Sequence, residues 1–303
     1  MALVGVAAAD TTWSFDGNLS TTGTSIGTTA HQRVATTNEE TGNVTYSKGN
    51  ATAVYTESGL TMGDSIGKYT LTANLGKAVD LRSTTTGGYT WLTQNSVHYT
   101  STNGGNNTNY FALTSTVTEN GTTTVTQGTD FTIMAYVNFD NVSGEQFIFG
   151  TSNAVSNGLA FGLNNGKLDL LAKYVDHHDL TNGPTILADT WYLLAVSYDS
   201  TLDTATFYVN GDNVGSITLG KKFNLPTGGV GGAIGAGTQD LVENAGAIIP
   251  QGAVDAQIAE LKVFNSALSQ SQILTQAHLV PEPTTATLSL LALCGLAARR
   301  RRK

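Results

Sequence analysis

Apolar residues fall on alternate positions through Phe131-Thr-Ile-Met-Ala-Tyr-Val137, with Phe131, Ile133, Ala135 and Val137 in phase. A β-strand imposes that period of two, because successive side chains leave opposite faces. Thr204-Ala-Thr-Phe-Tyr-Val209 repeats it, with Ala205, Phe207 and Val209 on one face and Thr204, Thr206 and Tyr208 on the other. Asn210-Gly211 follows, and a two-residue hairpin turn wants φ > 0 at both positions, which Asn and Gly adopt most readily. A second hairpin is predicted where Leu159–Leu163 meets Asn164-Asn165-Gly166 and the chain returns through Lys167–Ala172. Trp191–Tyr198 is apolar in both phases, the pattern of a centrally buried strand. Phe147-Ile-Phe149 is a short strand closed by Gly150, and Gln257–Phe264 reads as a half-buried one. Ser269–Gln276 alone reads as a short helix, with Ser269 and Gln272 at capping-box spacing. Residues from about 31 to 126 are less regular, and Ser101–Asn109 reads as long loops or edge hairpins. Many short antiparallel strands with this turn chemistry predict an all-β sandwich or jelly roll. No proline-rich linker interrupts them, so one domain over residues 10–278 is expected.

Composition narrows the partners. Forty per cent of the residues are apolar, enough to fill a core, which argues against wholesale disorder. The formal charge of −8 hides an asymmetry, since five of the 15 basic residues end the chain at Arg299–Lys303. Residues 1–280 carry ten bases against 22 acids, a balance near −12 with no basic stripe. Nucleic acid and anionic membrane surfaces are poor partners for such a body. A neutral or cationic ligand, or a divalent metal, suits it better. The one cysteine, Cys294, lies near the C-terminus, so the body has neither a disulfide nor a thiolate metal site.

The two ends point to export. Val280-Pro281-Glu282-Pro283-Thr284-Thr285 precedes an apolar run over 286–298 and then Arg299, Arg300, Arg301, Arg302 and Lys303. The apolar run is a short hydrophobic helix that spans a bilayer marginally, because a comfortable crossing takes about 20 residues. Flanking threonines and snorkelling arginines extend it, and the terminal cations orient the C-terminus toward the cytoplasm. Pro281-Glu282-Pro283, short apolar segment and arginine cluster together resemble the PEP-CTERM sorting signal. That resemblance implies a tail over 279–303 outside the folded domain and an exosortase at the inner membrane as partner. Transient anchoring would then end at the cell surface, in the extracellular matrix or in secretion. Residues 1–9 end in a small-residue Ala7-x-Ala9 pattern without a positive n-region, as a truncated signal peptide or a first strand would. The C-terminal signal requires prior export and favours the former.

The body resembles the laminin G-like, concanavalin A-type jelly roll. The residues that carry the likeness are Phe15-Asp16-Gly17-Asn18, Leu75–Asp80, Phe131–Val137, Trp191–Tyr198, Ala205–Gly211 and Ile258–Ser269, in the family's order. Tyr136 stands where the family usually has Trp, and Ala259 where it usually has Asp. Members often bind a structural calcium, which takes six to eight oxygen ligands. The resemblance therefore makes Asp16, with Asp255 or Glu260 near the last strand, either a calcium site or plain turn chemistry. Asp176-His177-His178-Asp179 is the one local concentration of metal-capable side chains. It reads as a solvated polar loop, and adjacent histidines could share an ion only in such a loop.

Glycosidases on this fold place paired carboxylates on one strand at i, i+2 or i+4, so that both face the cleft. No such pair stands on a recognisable strand here, and neither a Gly-x-Ser-x-Gly elbow nor a His-Glu-x-x-His motif occurs. An enzyme is not expected. Aromatics are the remaining lead: Tyr89-Thr-Trp91 puts two rings on one face if extended, near Gln94 and Asn95, as glycan stacking would require or as packing of the insertion would. The expectation is thus a non-catalytic exported envelope protein, a carbohydrate-binding or adhesion module. The alternatives are a structural matrix component without a specific ligand and a carbohydrate-active enzyme.

Overall fold

The computed structural model describes residues 11–13, 26–37, 44–52, 54–82, 88–92, 115–119, 122–126, 130–151, 159–172, 177–219, 232–235, 237–238, 250–264 and 266–282. The first strands are β1 (Thr11–Trp13), β2 (Ile26–Thr37), β3 (Val44–Thr52), β4 (Val54–Glu57), β5 (Ser65–Ile66), β6 (Tyr69–Leu71), β7 (Lys77–Asp80) and β8 (Gly88–Leu92). Then come β9 (Ser115–Glu119), β10 (Thr122–Thr126), β11 (Phe131–Phe139), β12 (Glu145–Thr151), β13 (Leu159–Asn164), β14 (Lys167–Ala172), β15 (Trp191–Asp199) and β16 (Thr204–Val209). The last are β17 (Asp212–Thr218), β18 (Gly232–Ile234), β19 (Gly237–Thr238), β20 (Pro250–Gln251), β21 (Ala256–Phe264), helix α1 (Gln270–Gln276) and β22 (Leu279–Pro281).

Two antiparallel sheets face each other as the expected all-β sandwich. One runs β17-β16-β15-β11-β21-β7-β4, with β1 also paired to β21, and the other runs β14-β13-β12-β18-β8-β2-β3. Phe131, Ile133, Ala135 and Val137 point between them together with Phe149, Phe161, Leu194, Val196, Phe207 and Ile258. The expected hairpins form. Asn210 (φ 53) and Gly211 (φ 82) join β16 to β17, and Asn165 (φ 49) and Gly166 (φ 75) join β13 to β14. Part of the stretch that is irregular in sequence also joins this sheet: β2 and β3 pair from Thr29↔Thr52 to Thr37↔Val44 and form one edge of it.

A third layer covers the outer face of the first sheet. Met134, Tyr136, Leu193, Ala195, Tyr208 and Phe264 pack there against Leu71, Leu75, Leu268, Ile273 and Leu279. These cover residues come from α1, from the small sheet β22-β6-β5 and from the segments around them. Two buried hydroxyls pin the layer. Tyr136 Oη donates to Ala277 O at 2.6 Å, and Thr132 Oγ1 donates to Ser266 O at 2.7 Å while accepting the Leu268 N–H at 2.9 Å. Gln272 Oε1 takes the Ser269 N–H at 2.9 Å, the predicted capping contact at the start of α1.

One sequence expectation is corrected. Strand β21 is buried on both faces rather than half-buried, because it lies inside the first sheet under the third layer. Its alternation is broken at Glu260 (φ 38), a β-bulge opposite Ala135/Tyr136, which puts Ile258 and Leu261 on the same face despite their odd spacing. The bulge falls where the neighbour of β21 changes from β7, opposite 257–259, to β1, opposite 261–263. Of the expected tail over 279–303, residues 279–282 are described. Leu279–Pro281 pairs with β6, and Ser65 Oγ donates to Glu282 Oε1 at 2.8 Å. Pro281 is tolerated because β22 is an edge strand. Pro283, the apolar run 286–298, Cys294 and Arg299–Arg302 lie outside the described residues, as do residues 1–9. Among the described residues no helix is long and apolar enough to cross a membrane.

Glu260 faces two basic side chains. Its Oε1 lies 3.0 Å from Lys262 Nζ and 3.6 Å from His278 Nε2, and Lys262 Nζ also donates to Gln276 O at 2.6 Å at the C-terminal end of α1. Burial raises the Glu260 pKa, but the facing His278 ring and the Lys262 ammonium outweigh it and hold the carboxyl below its usual range. Tyr136, whose phenol burial pushes far up, is the other titratable group facing it.

Two stability predictions follow from this packing. A Cβ at Gly162 would stand 2.1 Å from Gln146 O and 2.6 Å from Phe147 Cα, so Gly162→Ala must displace backbone in the β12–β13 ladder. The expected loss is about 2–3 kcal/mol, read from urea unfolding. Glu260→Gln leaves Lys262 buried beside a neutral group and should cost about 3 kcal/mol at neutral pH. Because the folded-state pKa is depressed, the carboxylate's contribution is complete above its unfolded value and fades as pH falls through the folded one. The gap between wild type and Glu260→Gln should therefore narrow as pH falls below the ordinary carboxylate range; a gap constant with pH would assign the effect to shape rather than charge.

Candidate functional site

Asp169 sits in the middle of β14, where Leu168 and Leu170 point into the core. Alternation turns Asp169 to the outer face of the second sheet, yet its side chain is 0% exposed. Residues 177–180 account for this. They run beside β14, with an antiparallel bridge Asp169↔Asp179 and the Leu180 N–H donating to Leu168 O at 2.8 Å. Bridge partners share a face, so the Asp169 and Asp179 carboxylates come together, and His177, two residues earlier, joins them. Leu180 is drawn into the core on the other side.

The contacts are dense. His177 Nδ1 lies 2.6 Å from Asp169 Oδ2, and its Nε2 lies 3.1 Å from Glu145 Oε1. The His178 N–H donates to Asp169 Oδ1 at 3.0 Å, and Asn164 Nδ2 donates to Asp179 Oδ2 at 3.2 Å. Asp179 Oδ1 is buried with no hydrogen-bond partner among the described residues. Burial pushes the Asp169 pKa up to about 6, against the lowering pull of His177 and the His178 N–H. Burial lowers that of His177, but Asp169, Glu145 and Asp179 outweigh it and raise the ring above its ordinary value. One atom each from Asp169, His177 and Asp179 lie within 4.8 Å of one another, which makes this a group able to hold a metal ion.

The expected site residues are scattered. Glu260 is committed to Lys262, whereas the Asp255 N–H donates to Gln146 Oε1 at 2.9 Å beside β12. Asp16, the expected partner of either Asp255 or Glu260 in a calcium site, lies outside the described residues. Asp255 and Asp140 instead add negative potential around Arg82, which clamps the buried Asp80 through Nε at 2.9 Å and NH2 at 2.7 Å. Tyr89 and Trp91 occupy β8 inside the second sheet; Gln94 and Asn95 lie outside the described residues. In the register of β8, Thr90 is opposite the core residue Ile234, so positions 89 and 91 belong to the sheet's outer face, the face of Asp169.

Sequence reasoning missed Asp169 and Glu145, and read His177 and Asp179 as a solvated loop. An acid at an outward position of a strand is ordinary. The one available signal was the short distance from Asp169 to the Asp176–Asp179 quartet.

Several solved structures share a partial likeness with the chain. The CBM40 of the Ruminococcus gnavus IT-sialidase, bound to alpha2,3 sialyllactose, is 14% identical with a TM-score of 0.39, over 50% of this chain and 84% of that one. Domain 4 of AbnA, a GH43 extracellular arabinanase from Geobacillus stearothermophilus in complex with arabinotriose, is 14% identical with a TM-score of 0.42, over 84% and 99%. The NanB sialidase from Streptococcus pneumoniae is 20% identical with a TM-score of 0.38, over 49% of this chain, which spans about a quarter (24%) of the NanB chain. No curated protein matches the sequence. The laminin G-type family profile described as concanavalin A-like lectin/glucanases matches residues 103–274. With more than half of its length matched, the chain belongs to the concanavalin A-like lectin/glucanases superfamily.

Proposed function

We propose that this chain is a non-catalytic carbohydrate-binding or adhesion module of the cell envelope, exported and then sorted by its C-terminal tail. Membership of a superfamily of lectins and glucanases supports carbohydrate as the ligand class. The observation that carries the proposal is the register of β8, which assigns positions 89 and 91 to the outer face of the second sheet. Two aromatic residues spaced two apart on a strand match the pitch of a stacking platform, and Gln94 and Asn95 supply hydrogen-bonding groups nearby in sequence. The low charge and acidic balance of the body suit a neutral glycan. Pro281-Glu282-Pro283, the apolar run and the arginine cluster support an inner-membrane exosortase as processing partner, with the body outside the cytoplasm. Glu282 Oε1 is engaged by Ser65, so access to the Pro-Glu-Pro requires β22 to peel from β6.

A glycan array probed with the full chain in mild detergent should give specific signals, and Trp91→Ala should reduce the best of them by about tenfold or more. Uniform silence would favour a structural matrix component, and release of sugar from any bound glycan would favour an enzyme. Mass spectrometry of the protein recovered from the envelope of its own cells should show a C-terminus near Pro281–Pro283. An intact Arg299–Lys303 end in the mature protein would reject the sorting proposal.

A further inference from the structure

We propose that Asp169, His177 and Asp179 form a binding site for a divalent transition-metal ion, which clamps residues 177–179 onto the edge strand β14. The site is independent of the glycan and export proposals. Its chemistry starts from the convergence of donor atoms. One atom each from Asp169, His177 and Asp179 lie within 4.8 Å of one another, and the two ring nitrogens of His177 face Asp169 at 2.6 Å and Glu145 at 3.1 Å. A divalent cation would give Asp179 Oδ1, which is buried with no hydrogen-bond partner among the described residues, a partner beside the wholly buried Asp169.

Donor type selects the metal. Calcium prefers oxygen ligands throughout, whereas an imidazole nitrogen among carboxylates suits zinc and its first-row neighbours. His177 also has the outer support typical of such a ligand. With Nδ1 turned to Asp169, Nε2–H is directed at Glu145 Oε1, and a carboxylate on the second ring nitrogen fixes the tautomer. Glu145 is thus a positioning residue. The His178 N–H on Asp169 Oδ1 and Asn164 on Asp179 Oδ2 orient the two carboxylates in the same way. Among the described residues β14 ends the second sheet, so a metal here would tie the 177–180 segment to the flank of that strand away from β13.

The test uses the full chain, stripped with a chelator, freed of it, and titrated with zinc chloride alone by calorimetry and by thermal melting. One equivalent should bind and raise the melting temperature, while calcium chloride at the same concentration should not. Asp179→Asn keeps an acceptor for Asn164 and should leave the metal-free melting temperature almost unchanged, but it should weaken zinc binding by roughly 10–100-fold, as should Glu145→Gln. His177→Ala should abolish the zinc-induced stabilisation. The proposal is overturned if the wild type takes up no zinc at micromolar concentrations. It is equally overturned if Asp179→Asn and His177→Ala bind and are stabilised like the wild type, which would locate the ion elsewhere on the chain.

Discussion

Strands β11, β15 and β21 carry apolar side chains on both faces, and a sheet built from them cannot be left half in water. Most large side chains of this kind gain about 1.5–3 kcal/mol when fully buried, so each face demands a cover. One cover is the second sheet, with Phe149, Phe161 and Ile234. The other is the layer of α1 and β22-β6-β5, with Leu71, Ile273 and Leu279. The position of the C-terminal segment follows from this constraint. Residues 279–282 lie against the sandwich because Leu279 completes the second cover.

The same constraint explains how the buried charges are handled. Closing the second cover over β21 takes Glu260 and Lys262 out of water, and the bulge lets them meet each other, His278 and the end of α1. His278 adopts φ 57 just past that helix, at the left-handed position that commonly ends one. Asp80, at the end of β7 in the first sheet, is buried with the Arg82 side chain clamped on it through two hydrogen bonds. Asp169 differs in its company: His177 and the carboxylate of Asp179 lie beside it, and burial pushes its pKa up to about 6.

The chain belongs to the concanavalin A-like lectin/glucanases superfamily. Here positions 89 and 91 and the Asp169 group share the outer face of the second sheet. Binding a glycan and binding a metal would thus be properties of one surface, separated by the strands β18, β12 and β13.

Much of the fold was legible in the residues themselves. Alternation marked the faces of β11 and β16, two-phase apolarity marked β15, Asn-Gly chemistry marked both hairpins, and Ser269 with Gln272 marked the start of α1. These signals are local: each follows from the period of a strand or the φ angles of a turn. Residues brought together from separate segments gave no such signal. The pairing of Glu260 with Lys262 depends on a bulge that the alternation of the strand does not show, and the contact of Asp255 with Gln146 joins residues far apart in sequence. Asp169 gave no signal within its own strand, and only the chain returning along β14 at 177–180 buried it and brought His177 and Asp179 to its side. Local sequence determined the strands, their faces and their turns, because backbone geometry is set within a few residues. Tertiary structure decided which polar groups meet and which are cut off from water, because that depends on segments whose pairing no local pattern encodes.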